Sequence, residues 1–275
     1  MELGEYGYFR GDPRWNVLEP PNYYNRLYFI VDGYGLVKQG EKVTELLPGN
    51  IYLLPSQNPY HLICPKRLEK FYIHFNINLY HVQDIFLFAG NNILQLPWTN
   101  KMDPPFSKME EISNIYDLLP YHNYIYNTIF DFLKFIPEQK LNQFFEYGLK
   151  YQEVFSYIHQ NLRISLTVKE IALKTNQSEY TLTKKFKQDL GFSLNQHIQK
   201  KLLDYAISQL DSSKSITEIA NSLDFCDTHY FSNWFKKKTG YTPSQYRIHT
   251  QKLHDLYFYR NQKPFRSPGL SYVKI

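Results

Sequence analysis

Two short stretches in the C-terminal half carry polar side chains at helical spacing whose types suit the edges of nucleic-acid bases. One offers Tyr180, Thr183, Lys184 and Lys187; the other offers Thr228, His229, Ser232, Asn233 and Lys236. Asparagine can pair with adenine through two hydrogen bonds, serine and threonine bond to several bases, and lysine and histidine favour guanine or phosphate. In each stretch apolar anchors four apart, Leu182/Phe186 and Phe231/Phe235, fall on the opposite face. Such a helix packs on one side and presents hydrogen-bonding groups on the other.

Side chains read a groove only if a helix presents them, and the flanking sequence supplies that setting twice. Thr167-Val168-Lys169-Glu170-Ile171-Ala172 and Ser215-Ile216-Thr217-Glu218-Ile219-Ala220 each begin with a hydroxyl residue followed three positions later by Glu. That spacing predicts a reciprocal capping box at a helix start. Four residues past each Ala stand Asn176 and Asp224, types that tolerate a left-handed turn. A second helix is predicted over 178–188 and again over 227–239, with Ser178 and Asp227 as N-caps and Gly191 and Gly240 closing them. Helix, tight turn and helix, with a small residue at the crossing, is the helix-turn-helix arrangement. Two in tandem, joined by a helix predicted over 194–210, argue against a plain helical bundle.

The run from Tyr230 to Arg247 resembles the signature of AraC/XylS-type transcription regulators, through Phe231, Ser232, Phe235-Lys236-Lys237, Gly240-Tyr241-Thr242-Pro243 and Tyr246-Arg247. The first copy is similar to the family's first motif, and the resemblance covers about residues 150–250. Asn233 stands where the family usually has Arg, Asp224 where it has Gly, and Lys201 at another frequent Arg position. The resemblance implies that Tyr180, Thr183, Lys184, Thr228, His229, Ser232 and Asn233 lie nearest base edges of double-stranded DNA. It also implies a homodimer reading repeated half-sites, and RNA polymerase as a partner. The two motifs of one chain would meet major-groove faces about one turn, ~34 Å, apart. Lys236 is expected on phosphate, and since neither second helix carries Arg, DNA shape is expected to share in discrimination.

The N-terminal half has another character. Short apolar or alternating runs at 27–31, 35–37, 43–47, 51–54, 60–64 and 71–75 are cut by Asp32-Gly33, Gln39-Gly40, Pro48-Gly49-Asn50 and Ser56-Gln57-Asn58-Pro59. They predict a sandwich or small barrel, and their turn glycines and prolines resemble the cupin-like ligand barrel of the same family. Helical spacing begins beyond Pro104-Pro105, with Ile125, Ile129, Phe132 and Ile136 on one face, either a dimer surface or a stripe packed on the barrel. The chain therefore reads as an α+β multidomain protein: a cupin-like barrel over 1–100, a helical connector over 101–150, a DNA-binding domain over 151–250 and a tail over 251–275.

Enzymatic cupins bring several His and a carboxylate to one metal, and here no His precedes His61. No phosphate-binding Gly loop or Gly-x-Ser-x-Gly elbow occurs either. The sequence thus predicts no enzyme, no metal and no cofactor, although a barrel enzyme with an accessory DNA module is the competing class. A small-molecule effector is expected instead. Aromatic faces with polar edges suit sugar rings, which nominates Arg14, Trp15, Tyr28, His61, His74 and Trp98. Arg14 and Trp15 lie in a segment that could act as an arm across the barrel mouth. An activator of carbohydrate-use genes responding to a sugar is the favoured function, and a non-sugar or stress signal is the alternative.

Length, composition and charge agree. The 275 residues, 43% hydrophobic and 21% charged, suit two folded units. No apolar run reaches the ~18–20 residues of a membrane helix, the first residues lack a signal-peptide pattern, and two distant cysteines offer no disulfide framework. A cytoplasmic location is expected. Residues 1–149 hold 12 Lys/Arg against 16 Asp/Glu, whereas 150–275 hold 19 against 10. A basic half on an acidic half is what a DNA-binding unit joined to a sensor unit would carry.

Overall fold

The computed structural model describes residues 2–77, 84–86, 92–99, 115–210 and 212–258. Packing divides the chain into two units, with the strands and the first helix in one and the helices from Asn142 through Gln251 in the other.

In the first unit one sheet orders five strands as β1 (Glu2–Gly11), β8 (Leu68–Asn76), β3 (Asn25–Gly33), β6 (Asn50–Leu54) and β9 (Leu94–Pro97). The other orders β2 (Asn16–Glu19), β7 (Tyr60–Ile63), β4 (Gly35–Gln39) and β5 (Lys42–Leu46). Every pairing is antiparallel. The inner faces share one core, to which β1 gives Phe9, β2 Val17, β3 Tyr28 and Ile30, β6 Tyr52 and Leu54, β7 Tyr60 and Leu62, and β8 Leu68 and Tyr72. These residues recur at every second position because a strand alternates its faces. Gly33 makes the turn into β4 at φ 81°, and a Cβ there would stand 2.2 Å from the Arg67 carbonyl oxygen, so only glycine fits.

Three strands lie outside the sequence expectation: β1, β2 and β9. Their presence removes the expected arm. The residues between β1 and β2 form a turn in which the Trp15 amide donates to the Asp12 carbonyl at 2.8 Å, and Trp15 is buried in the core.

Helix α1 (Ile115–Leu133) follows in the same unit. Its Tyr124 ring meets Phe29 on the outer face of the five-stranded sheet, at 6.1 Å between centroids. Of the two possibilities for the stripe Ile125, Ile129, Phe132 and Ile136, burial within the chain decides against a dimer surface, since none is more than 2% exposed. Tyr116, Leu119 and Phe130 form the outward face. The helix expected from 138 towards 161 is two, α2 (Glu138–Lys150) and α3 (Gln152–Gln160), broken at Tyr151.

The second unit continues with α4 (Val168–Lys174), α5 (Glu179–Leu190), α6 (Leu194–Leu210), α7 (Ile216–Ser222), α8 (Thr228–Thr239) and α9 (Pro243–Phe258). Asn176 and Asp224 take the left-handed conformation at φ 52° and 61°. The second capping box is reciprocal: Glu218 N donates to Ser215 Oγ, and Ser215 N to Glu218 Oε2. The first is only half formed. Glu170 N donates to Thr167 Oγ1, but the Glu170 carboxylate accepts two bonds from Arg163 Nη2, both 2.7 Å, and one from Tyr157. A charged donor outcompetes a backbone amide for that carboxylate. Helix α9 runs to Phe258, while the basic, aromatic sequence from Tyr259 onward lies outside the described residues. Among the described residues no helix is long and apolar enough to cross a membrane.

Candidate nucleic-acid interface and barrel interior

Helices α5 and α8 are held by the same device. Leu182 and Phe186 anchor the first, Phe231 and Phe235 the second, and all four are buried. Ser178 Oγ and Asp227 Oδ1 cap the two N-termini by accepting from the amides of Thr181 and Tyr230. Gly191 and Gly240 close the two C-termini in the left-handed conformation, donating to the carbonyls of Lys187 and Lys236. Fixed in this way, each helix turns one polar face outward.

On α5 that face carries Tyr180, 73% exposed, with Thr183, Lys184 and Lys187 exposed beside it. The Lys184 ammonium lies 5.8 Å from the Tyr180 ring centroid, so the aromatic face and the cation form one surface. On α8 His229, Asn233 and Lys236 are exposed, and Thr228 and Ser232 partly so. Ser232 Oγ donates to the Thr228 carbonyl at 2.8 Å, and Thr228 Oγ1 to Thr217 Oγ1 at 3.3 Å. Those hydroxyls are oriented with their protons turned inward, so they present acceptor lone pairs outward. Asn233 is the amide on this face, able to donate and accept at once.

The rest of the unit fixes the two helices to a frame. Lys150 Nζ and Tyr151 OH both reach Asp189 Oδ2, at 2.5 and 2.7 Å, tying the start of α3 to the end of α5. Trp234 Nε1 donates to Gln199 Oε1 at 2.9 Å, tying α8 to α6. Arg247 donates to the carbonyls of Leu210 and Lys214, closing the end of α6.

In the barrel unit the nominated effector residues separate into groups. Trp15 and Tyr28 meet inside, where Lys70 Nζ lies 4.2 Å from the Trp15 ring centroid and 3.3 Å from that of Tyr28. His74, partly exposed, stacks on Tyr24 at 4.1 Å between centroids, and pairs across the sheet with Arg26. Arg26 is buried, its Nη2 2.5 Å from Glu19 Oε2, its guanidinium over the Tyr24 and Tyr60 rings. Trp15, Tyr28 and His74 therefore line one interior with Arg26, Glu19 and Lys70. The other three lie elsewhere. Arg14 is exposed and bound to Asp12, His61 lies outside with Nε2 2.5 Å from Asn16 Oδ1, and Trp98 packs edge-on against Phe29 on the outer face. Burial pushes the Lys70 ammonium well below the usual lysine range, with Arg26 adding to the effect and Glu19 opposing it.

Residues 171–248 match the helix-turn-helix domain family. The chain is 25% identical over 235 residues to the Msm operon regulatory protein of Streptococcus mutans serotype c, covering 82% of this chain and 84% of that one. It is 23% identical over 235 residues to the raffinose operon transcriptional regulatory protein RafR of Pediococcus pentosaceus, covering 80% and 83%. ToxT from Vibrio cholerae O395 shares its fold at 16% identity and a TM-score of 0.55, over 89% of this chain and 97% of that one. Over most of its length the chain is thus similar to operon regulators that carry a helix-turn-helix domain, in line with its resemblance to the AraC/XylS type.

Both second helices of the matched helix-turn-helix region present an exposed polar face. At Asn233 this face carries a short amide where the resembled pattern has a long cation. Sequence reasoning missed Arg26, Glu19 and Lys70. A signal was available, because Glu19 shares the parity of Val17, Arg26 that of Tyr28, and Lys70 that of Leu68 and Tyr72. Charged residues at core-facing strand positions are uncommon and mark candidate functional interiors.

Proposed function

We propose that this chain is an AraC/XylS-type regulator, a sequence-specific activator of carbohydrate-use genes whose DNA binding responds to a sugar held in the barrel. The observation that carries the DNA half is the pair of outward faces on α5 and α8, each backed by two buried anchors. Tyr180, Thr183, Lys184, Thr228, His229, Ser232 and Asn233 are the base-reading set, with Lys187 and Lys236 on phosphate.

The sugar assignment rests on interior chemistry. Tyr24 and His74 form a partly exposed stacked pair beside a buried guanidinium–carboxylate pair, with Tyr28 and Trp15 deeper in. Arg26 can donate to hydroxyl oxygens, Glu19 can accept from hydroxyl protons, and ring faces suit C–H surfaces. One relative is named for the operon of raffinose, a carbohydrate. Trp15, Tyr28 and His74 are retained as effector contacts at this interior, whereas Arg14, His61 and Trp98 lie away from it and are not. The protein would work in the cytoplasm without metal or cofactor, as a regulator and not an enzyme, with RNA polymerase recruited at its promoters. A homodimer would form through the outward row Tyr116, Leu119 and Phe130 of α1.

Gel-shift titration against a bound DNA fragment with a panel of mono- and oligosaccharides tests the effector. One sugar should shift the affinity, and Arg26→Met should abolish that shift while leaving sugar-free binding intact. A shift produced only by non-carbohydrate metabolites would overturn the sugar assignment.

A further inference from the structure

Two connections join the helix-turn-helix motifs of this chain. One is α6 itself, with Gln199 bonded to Trp234 of the second reading helix. The other bridges the entry of the first motif to the turn of the second. Ser165 Oγ donates to Asp224 Oδ2 at 2.6 Å, and the Ile164 amide donates to the Leu223 carbonyl at 2.9 Å. Both ends of this bridge are themselves fixed. Arg163 is held by both Glu170 oxygens and donates to the Asn161 carbonyl at 3.1 Å, while Glu170 also accepts from Tyr157 of α3. On the other side Asp224 is the left-handed residue of the second turn, three positions ahead of the N-cap of α8.

A single connection between two bodies leaves them a torsion; a second, off its axis, removes it. We propose that Ser165 and Asp224 are spacing-determining residues, fixing the separation and rotation at which α5 and α8 engage DNA. The position is informative because the same turn needs no carboxylate. Glycine is the residue that fits φ 61° at no steric cost, so aspartate there trades backbone ease for a side chain that reaches the other motif. One base pair more or less between two blocks rotates the second by about 35° and moves it about 3.4 Å, a change that a locked pair of heads resists and a hinged pair accommodates.

This rests on the reading of α5 and α8 as two DNA-reading helices, and the test separates the two ideas. The site selected by the full chain from random DNA is remade with one base pair inserted or removed between its blocks. The wild-type protein should bind either respaced site at least about tenfold more weakly. Asp224→Gly, whose backbone suits the turn, and Ser165→Ala should narrow that gap to about threefold or less, in line with loss of one charge-assisted hydrogen bond. Asp224→Asn, which keeps an acceptor oxygen, should restore wild-type discrimination. The proposal is overturned if the Gly and Ala variants, melting like wild type, discriminate as sharply, or if they weaken all spacings equally. A wild-type protein that selects no two-block site would overturn the two-headed reading and this proposal with it.

Discussion

Lys70 Nζ lies 3.3 Å from the centroid of the Tyr28 ring, inside the barrel core and among the rings of Phe9 and Trp15. The aromatic cage that the interior offers to a cation is thus occupied by the chain's own lysine. Cation–π attraction offsets part of the cost of desolvating an ammonium, but burial still pushes Lys70 well below the usual lysine range. At neutral pH the unfolded chain therefore holds this proton more firmly than the folded one, and stability rises with pH up to the ordinary lysine value near 10.4.

Lys70→Met, which keeps the length of the stem and removes the amine, should accordingly raise the thermal stability of the protein at pH 7, by roughly 1 kcal/mol or more. The advantage should shrink as pH approaches 10. Thermal unfolding of both proteins at pH 7 and pH 10 checks this, and a variant less stable than wild type at pH 7 would show that Lys70 contributes more through its partners than its burial costs.

The proposed reading faces of α5 and α8 allow a sharper division of labour. Asn233→Ala on α8 should weaken binding at one base position by ~1–3 kcal/mol and relax the preference there. Lys236→Ala, on the same face, should weaken all sequences alike and lower the salt slope by about one unit. Affinities for a set of single-base variants at two salt concentrations distinguish them. Identical behaviour of the two mutants across sequences would mean that the face is assigned incorrectly.

His197 of α6 carries a pH prediction for the second unit. Its ring is buried, lies 5.1 Å from Phe155 and 6.1 Å from both Phe186 and Phe192 by centroids, and finds no hydrogen-bond partner for either nitrogen among the described residues. Burial, and then the charges of Lys201 and Lys200, push it well below the usual histidine range. A depressed folded value means stability that is complete above about pH 6.5 and is lost as pH falls below it, at up to about 1.4 kcal/mol per pH unit. The carboxylates Glu170, Asp189, Glu218 and Asp227 are held below their ordinary values by their donors, so their loss comes at lower pH. His197→Phe should flatten the stability profile between pH 6.5 and 5. Denaturant melts across that interval would contradict this if the wild-type and variant slopes were the same.

How much of this was legible follows from the range of the interactions. The helix-turn-helix motifs were readable because their determinants are local: caps at Ser178, Ser215 and Asp227, anchors four residues apart, left-handed turns at Asn176 and Asp224. The strands between Asn25 and Asn76 were readable from turn residues and alternation. Strand β1 was not, because it pairs with a strand whose partners begin at Asn76, opposite Glu2, and its glycines argue locally against a strand. The half-formed box at Thr167 shows the same limit, since nothing within the motif reveals that Arg163 takes the Glu170 carboxylate. For the barrel interior, the aromatic candidates Trp15 and Tyr28 were visible by type, while Arg26 and Lys70 were passed over because charge at an inward position reads as exposure.

Selection of bound DNA from a random pool by the full chain tests the two-headed reading most directly. The faces of α5 and α8 predict enriched sites with two distinct blocks about one helical turn, ~10 base pairs, apart, with the block read by α8 degrading when Asn233 is replaced by Ala. A pool without enriched sequence, or one with a single block indifferent to that substitution, would contradict it.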